Sequence, residues 1–149
     1  MQNEDIVDIL NGLVLINNDR INGYEKAAAD IEDPHLATIF LNLTSQSRTF
    51  RSELADFVVR MGGFVPDLTQ TSTSSKLHRT WIDIKSTFTG KDRTAILGSC
   101  IFGENAAVEE YEEVLEKENL PAYLRDTISQ QLTSLRQTRD QVVTMQHNS

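Results

Sequence analysis

Two stretches of the chain decide its fold: ILNGLVLINNDRINGYE at residues 9–25 and ILGSCIFGENAAVEEYE at residues 96–112. A shift of 87 residues places the first on the second, so that the Tyr-Glu dipeptides that end both stretches coincide. Ten residues after each tyrosine stands a proline, Pro34 in the first copy and Pro121 in the second. Helical period explains matching apolar positions, but not a shared dipeptide and proline in one register. The chain is therefore predicted to contain an internal repeat, two copies of a helix hairpin.

Apolar residues follow the period of an α-helix along most of the chain. In the first segment they recur at steps of three and four from Ile6 to Ile31. Pro34 disfavours helical geometry at Asp33, which becomes the predicted N-cap of the next helix. No segment alternates with period two for long enough to predict a strand. The predicted helices cover residues 3–32, 34–61, 75–89, 92–118 and 121–146.

Two hairpins joined by a connection from residue 62 to about residue 92 predict an all-α, antiparallel four-helix bundle. Such a connection must cross the length of the bundle, because it links the second helix to the third. A short amphipathic helix is predicted within it, on the helical spacing of Leu77, Trp81, Ile84 and Phe88. A chain of 149 residues has the usual length of one domain, so a single domain over residues 1–149 is expected.

The charge balance excludes some partners. With 22 acidic residues against 14 basic ones the net charge is −8, which repels phosphate backbones and anionic lipid. No nucleic-acid or membrane partner is therefore expected, and no apolar run reaches the 18 or more residues of a membrane span. The single cysteine, Cys100, cannot form an intrachain disulfide. An acidic N-terminus without a basic leader completes the expectation of a cytoplasmic protein.

The predicted architecture, with Glu104 seven residues before Tyr111, resembles the ferritin-like superfamily. The likeness covers nearly the whole chain and rests on residues 17–28, 77–85 and 103–112. Within the superfamily the chain is most similar to a bacterial family of small ferritin-like four-helix bundles of unknown function. Rubrerythrin-type relatives hold two metal ions with one Glu from each of helices one and three and a Glu-x-x-His motif on each of helices two and four.

Only one of those metal ligands matches a residue of the right type here. Glu104 stands at the third-helix position, whereas the first-helix position is Asn17. The second-helix motif falls on Ser47 and Phe50, neither of which can replace a carboxylate or an imidazole. The fourth-helix motif falls near Ser134 or Leu135 and Gln137 or Thr138.

The resemblance therefore implies the fold without di-metal oxidase chemistry. No cofactor, no metal and no catalytic residue is expected. A literal Glu-x-x-His does occur at Glu32 and His35, but Pro34 lies between them and separates two helices. Since the two side chains cannot share a helical face, this motif predicts no metal site.

A candidate site remains at the centre of the bundle, where the sequence predicts a polar core layer. Burying an ionised carboxylate without partners costs free energy. We therefore expect Glu104 either to stay protonated or to accept hydrogen bonds from the layer and from the side chain of Arg20 or Arg48. A layer that fixes helix register is the favoured interpretation, and an unusual metal site around Glu104 is the alternative. The predicted layer comprises Asn17, Ser47, Glu104 and Gln131.

Tyr24 and Tyr111 occupy equivalent inward positions and are predicted to be core rings with hydrogen-bonded hydroxyls.

The leading hypothesis for function is a non-catalytic bundle that acts through self-association, as a homo-oligomer, or through a protein partner. One alternative is a metal-binding or oxidase-type bundle with an atypical centre near Glu104. A further alternative is a small hydrophobic ligand held between the helices near the two tyrosines.

Overall fold

The computed structural model describes residues 2–72, 93–117 and 119–148. Over these residues the chain is helical, with no strand. The predicted short helix at 75–89 lies outside the described residues. The helices are α1 (Asn3–Asp30), α2 (Pro34–Arg60), α3 (Arg93–Leu115) and α4 (Ala122–His147).

The four helices pack as two hairpins, which confirms the predicted all-α four-helix bundle. α1 lies along α2 and α3 lies along α4, while α1 also contacts α3. Alternation of polar and apolar faces drives this arrangement, since each helix buries one stripe and exposes the other. No helix in the described ranges is both long and apolar enough to cross a membrane.

The first hairpin turns at Asp33, as its proline predicts. The Asp33 carboxylate accepts hydrogen bonds from the backbone N–H groups of His35 (2.9 Å) and Leu36 (3.2 Å) and caps α2. These bonds, led by the one from Leu36, lower the pKa of Asp33. Glu32 precedes the cap and His35 lies in the first turn of α2, so the two residues do not share a helical face.

The buried residues of α2 and α4 follow the same order. A shift of 88 residues places the first seven buried positions of α2 on the seven of α4. Asn17 and Glu104, and likewise Tyr24 and Tyr111, are buried pairs at a shift of 87. Since Pro34 and Pro121 still coincide at a shift of 87, the extra residue lies between Pro121 and Leu124, at the start of α4. The buried α4 residues are Leu124, Ile128, Gln131, Leu132, Leu135, Thr138 and Val142.

Two glycines are expected to respond to alanine in opposite directions. Gly12 lies exposed within α1 with nothing within 4 Å of an added Cβ, so G12A should stabilise the protein by about 0.5–1 kcal/mol. Gly62 ends α2 with a φ of 79°, a left-handed conformation that costs a residue with a Cβ about 1–2 kcal/mol. Urea unfolding of G12A and G62A measures both effects. A G62A protein as stable as the wild type would contradict the expected strain.

Candidate functional site

Glu104 is bound by Arg20 in the bundle centre, and both side chains are 0% exposed. Arg20 Nε donates to Glu104 Oε1 at 3.1 Å, and Nη2 donates to Oε2 at 3.3 Å. This bidentate arrangement fits the planar guanidinium to the two oxygens of the carboxylate. Burial, the largest single effect, lowers the pKa of Arg20, but Glu104, Tyr24 and Tyr111 together outweigh it and the net pKa is raised. The Arg20 guanidinium therefore stays charged and lies at ion-pair distance from the Glu104 carboxyl group.

Of the two arginines predicted to reach Glu104, Arg20 does so and Arg48 does not. Arg48 instead pairs with Glu25 at the surface, at 2.7 Å. Arg20 comes from α1 and Glu104 from α3, so the pair ties one hairpin to the other.

Tyr24 supplies a further donor to Glu104. Its hydroxyl donates to Glu104 Oε1 at 2.7 Å, and its ring stacks on Phe40 with centroids 5.6 Å apart. Burial, followed by the nearby negative charge of Glu104, raises the pKa of Tyr24 well above its usual value. Glu104 thus accepts hydrogen bonds and is not left as an unpartnered buried acid.

The contacts continue across the bundle to α4. Arg20 Nη2 also donates to Gln46 Oε1 at 2.8 Å, and Gln46 Nε2 donates to Thr138 Oγ1 at 3.1 Å. Residues from all four helices therefore share one set of hydrogen bonds, here named the Glu104 network. It consists of Arg20, Tyr24, Gln46, Glu104 and Thr138.

A second set, the Tyr111 network, lies beside it and consists of Asn17, Tyr111 and Gln131. Asn17 Nδ2 donates to the Tyr111 hydroxyl at 3.0 Å, which in turn donates to Gln131 Oε1 at 2.7 Å. Gln131 Nε2 donates to the Phe50 carbonyl (3.2 Å) and to Glu53 Oε1 (3.0 Å). Burial raises the pKa of Tyr111. This network also reaches all four helices.

The four residues of the predicted polar layer are all buried, but they do not form one cluster. Glu104 belongs to one network, while Asn17 and Gln131 belong to the other through Tyr111. Ser47 Oγ donates to the Leu43 carbonyl of its own helix at 2.8 Å. The structure thus divides the layer in two and adds Arg20, Gln46 and Thr138, of which the last two were not part of the prediction.

The hydroxyl groups of Tyr24 and Tyr111 both donate hydrogen bonds to protein side chains. This concerns the predicted alternative of a hydrophobic ligand between the two tyrosines. Tyr24 and Tyr111 are fully buried. Surface grooves of about 270, 370 and 600 Å³ are lined by described residues, and neither tyrosine lines any of these. The hydrophobic-ligand alternative gains no support from this arrangement.

A repeated pair of arginines explains why the Tyr-Glu dipeptide recurs. The segments 48–51 and 136–139 both read Arg-x-x-Arg, at a shift of 88 residues, and this motif was missed in the sequence. In each hairpin the first arginine binds the glutamate of the dipeptide and the second binds an asparagine. The pairs are Arg48 with Glu25, Arg136 with Glu112, Arg51 with Asn18 and Arg139 with Asn105.

The residues at the centre do not fit a di-metal site. The positive group beside the Glu104 carboxylate is a guanidinium, and the first-helix position is the amide of Asn17. Burial favours Leu135 and Thr138 at the fourth-helix position, and neither is a ligand of the required type. Among residues 2–72, 93–117 and 119–148, no group of three or more His, Cys, Asp or Glu side chains could hold a metal ion.

The fold defines the class of protein. The bacterioferritin-related protein from Bacteroides fragilis, described as a dodecameric thioferritin, matches with a TM-score of 0.74 and 16% identity. The match covers 97% of this chain and 85% of the other. The ferritin-like four-helix bundle predicted from the sequence is thereby confirmed, and at this identity the likeness concerns the fold alone.

The family follows from the sequence. Residues 5–117 match the family described as "Domain of unknown function (DUF2383)", and the chain belongs to that family. The predicted membership of a family of ferritin-like bundles of unknown function is confirmed. The comparison with functionally curated proteins found no match.

Proposed function

We propose that this chain is a non-catalytic ferritin-like bundle that acts through association, with copies of itself or with a protein partner. The observation that carries the proposal is the contact of Arg20 with both oxygens of Glu104. A cation bound at Glu104 would have to displace a buried guanidinium, leaving that charge without its partner. In this proposal Arg20 provides the positive charge that metal ions provide in rubrerythrin-type bundles.

Apolar side chains on the outer surface support the association part of the proposal. Phe64 is 91% exposed, and Val59 and Phe102 are more than half exposed. Burial of these side chains against another chain would remove apolar surface from water, which favours association. The Bacteroides fragilis protein is described as dodecameric, which favours a homo-oligomer here. The internal repeat and a cytoplasmic, bacterial setting remain part of the same proposal.

Elemental analysis tests the proposal. Protein purified without chelator is expected to contain far less than one iron or manganese per chain, and to oxidise ferrous iron no faster than buffer. Light scattering on the same sample is expected to report a mass above the 16.8 kDa of one chain, or the mass of a monomer that increases when a protein partner is added. Two metal ions per chain, or ferrous oxidation that depends on Glu104, would overturn the non-catalytic assignment.

An atypical metal centre near Glu104 is the second candidate, favoured by the match of Glu104 to a ligand position and by the ferritin-like fold. The variant E104Q separates the two candidates. Under the first proposal E104Q changes the stability of the protein and leaves its metal content unchanged. Under the second, E104Q lowers the metal content of the purified protein. Q46L serves as the matched control, because it alters the same network without touching the carboxylate.

A further inference from the structure

Two polar atoms in the bundle centre have no hydrogen-bond partner in the described part of the chain. They are Asn17 Oδ1 and Arg20 Nη1, and both side chains are 0% exposed. The first is an acceptor and the second is a donor. Buried polar groups are nearly always paired, so an acceptor and a donor without partners indicate that a partner is missing for each of them.

The orientation of each group is fixed by its other contacts. Asn17 Nδ2 donates to the Leu13 carbonyl at 3.0 Å, and rotating the amide would set two carbonyl oxygens against each other. Arg20 uses Nε and Nη2 on Glu104 and Gln46. Because the guanidinium is planar and rigid, Nη1 then points away from the carboxylate. Rotating either side chain would therefore not give Asn17 Oδ1 or Arg20 Nη1 a hydrogen-bond partner without breaking another contact.

The two side chains lie close together. Asn17 and Arg20 are three residues apart on α1, so they share a helix face with Cβ atoms about 5–6 Å apart. Arg20 also interacts electrostatically with Tyr111, the residue whose hydroxyl accepts the hydrogen bond from Asn17. Asn17 belongs to the Tyr111 network and Arg20 to the Glu104 network, so each network contributes one of the two atoms without a partner.

We propose that a single internal water molecule binds between Asn17 and Arg20, accepting a hydrogen bond from Nη1 and donating one to Oδ1. The chemistry of the two atoms selects water over other small ligands. An anion without a proton, such as chloride, cannot donate to Oδ1, and a metal cation would face the N–H of a guanidinium. Water does both, and buried waters of this kind make two to four hydrogen bonds to otherwise unpaired groups. It would join the two networks into one.

A crystal structure of the wild-type protein, at a resolution that orders internal solvent, tests the proposal directly. We expect a spherical peak within 3.2 Å of both Asn17 Oδ1 and Arg20 Nη1, at roughly the distance of ordinary hydrogen bonds, with no anomalous signal. A dry contact, a direct protein partner for either atom, or an anomalous peak from a metal would overturn it.

Water ¹⁷O relaxation dispersion gives an independent count of long-lived internal waters in solution. The variant N17L removes the acceptor and is expected to lower that count by one. S47A is the matched control, because it removes a buried hydroxyl that bonds only within α2, and the count should not change. An N17L protein that is folded and has the wild-type count would overturn the proposal, and the wild-type crystal structure decides the matter if N17L does not fold.

Discussion

The variant R20M is expected to lower the free energy of unfolding by about 3–5 kcal/mol, because it leaves the Glu104 carboxylate buried without its cation. Among the described residues, Tyr24 would then be the hydrogen-bond donor left to that carboxylate. E104M should cost a similar amount by leaving the guanidinium unpaired. Urea unfolding followed by circular dichroism measures both variants at pH 7.

The double variant R20M/E104M provides the decisive comparison. Replacing a whole buried ion pair by apolar groups of similar size is often close to neutral, so the double variant should be more stable than either single one. R48M is the surface control, because the Arg48–Glu25 pair is about half exposed and should be worth about 1 kcal/mol or less. Additive losses in the double variant would show that the charges do not act as a pair.

Alkaline pH is expected to unfold the protein through its two buried tyrosines. An unfolded tyrosine loses its proton near pH 10, whereas burial raises the pKa of Tyr24 and Tyr111 in the native state. Above pH 10 the unfolded state therefore binds fewer protons than the native state, and the stability present below pH 10 is lost as pH rises. The expected loss is about 1.4 kcal/mol per pH unit for each tyrosine, or about 2.7 for both.

Unfolding free energies measured between pH 8 and about 12 test this dependence. The variant Y111F is expected to reduce the slope above pH 10 by about 1.4 kcal/mol per pH unit, since one titrating hydroxyl is removed. Y123F is the matched control, because the Tyr123 ring is 52% exposed and removing its hydroxyl removes no buried group. A wild-type stability that stays constant up to pH 12 would contradict the expected effect.

The burial of Glu104 and of both tyrosines could be predicted because these residues fall on the apolar stripes of their helices. Arg20 also falls on the inward face of α1, three residues after Asn17 and four before Tyr24. The sequence offered Arg20 and Arg48 as the arginines that reach Glu104 and did not decide between them. The choice between them depends on where α3 places Glu104, and helical period carries no information on that.

The division of the polar layer into two networks could not be predicted either. It depends on side-chain length and rotamer, since Gln131 reaches Tyr111 and Glu53 while Gln46 reaches Arg20. The fourth-helix position stayed open between neighbouring residues for a different reason. One additional residue lies between Pro121 and Leu124, at the start of α4, and it changes the register from a shift of 87 to one of 88.

The ion pair at the centre also determines which halves of the molecule can pack together. Arg20 belongs to the first hairpin and Glu104 to the second, and their counterparts at a shift of 87 are the uncharged residues Ala107 and Asn17. Two first hairpins from different chains would place two Arg20 guanidinium groups at the centre without Glu104, and two second hairpins would place two Glu104 side chains there without Arg20. Only unlike halves bring Arg20 and Glu104 together, so exchange of like halves between chains is disfavoured.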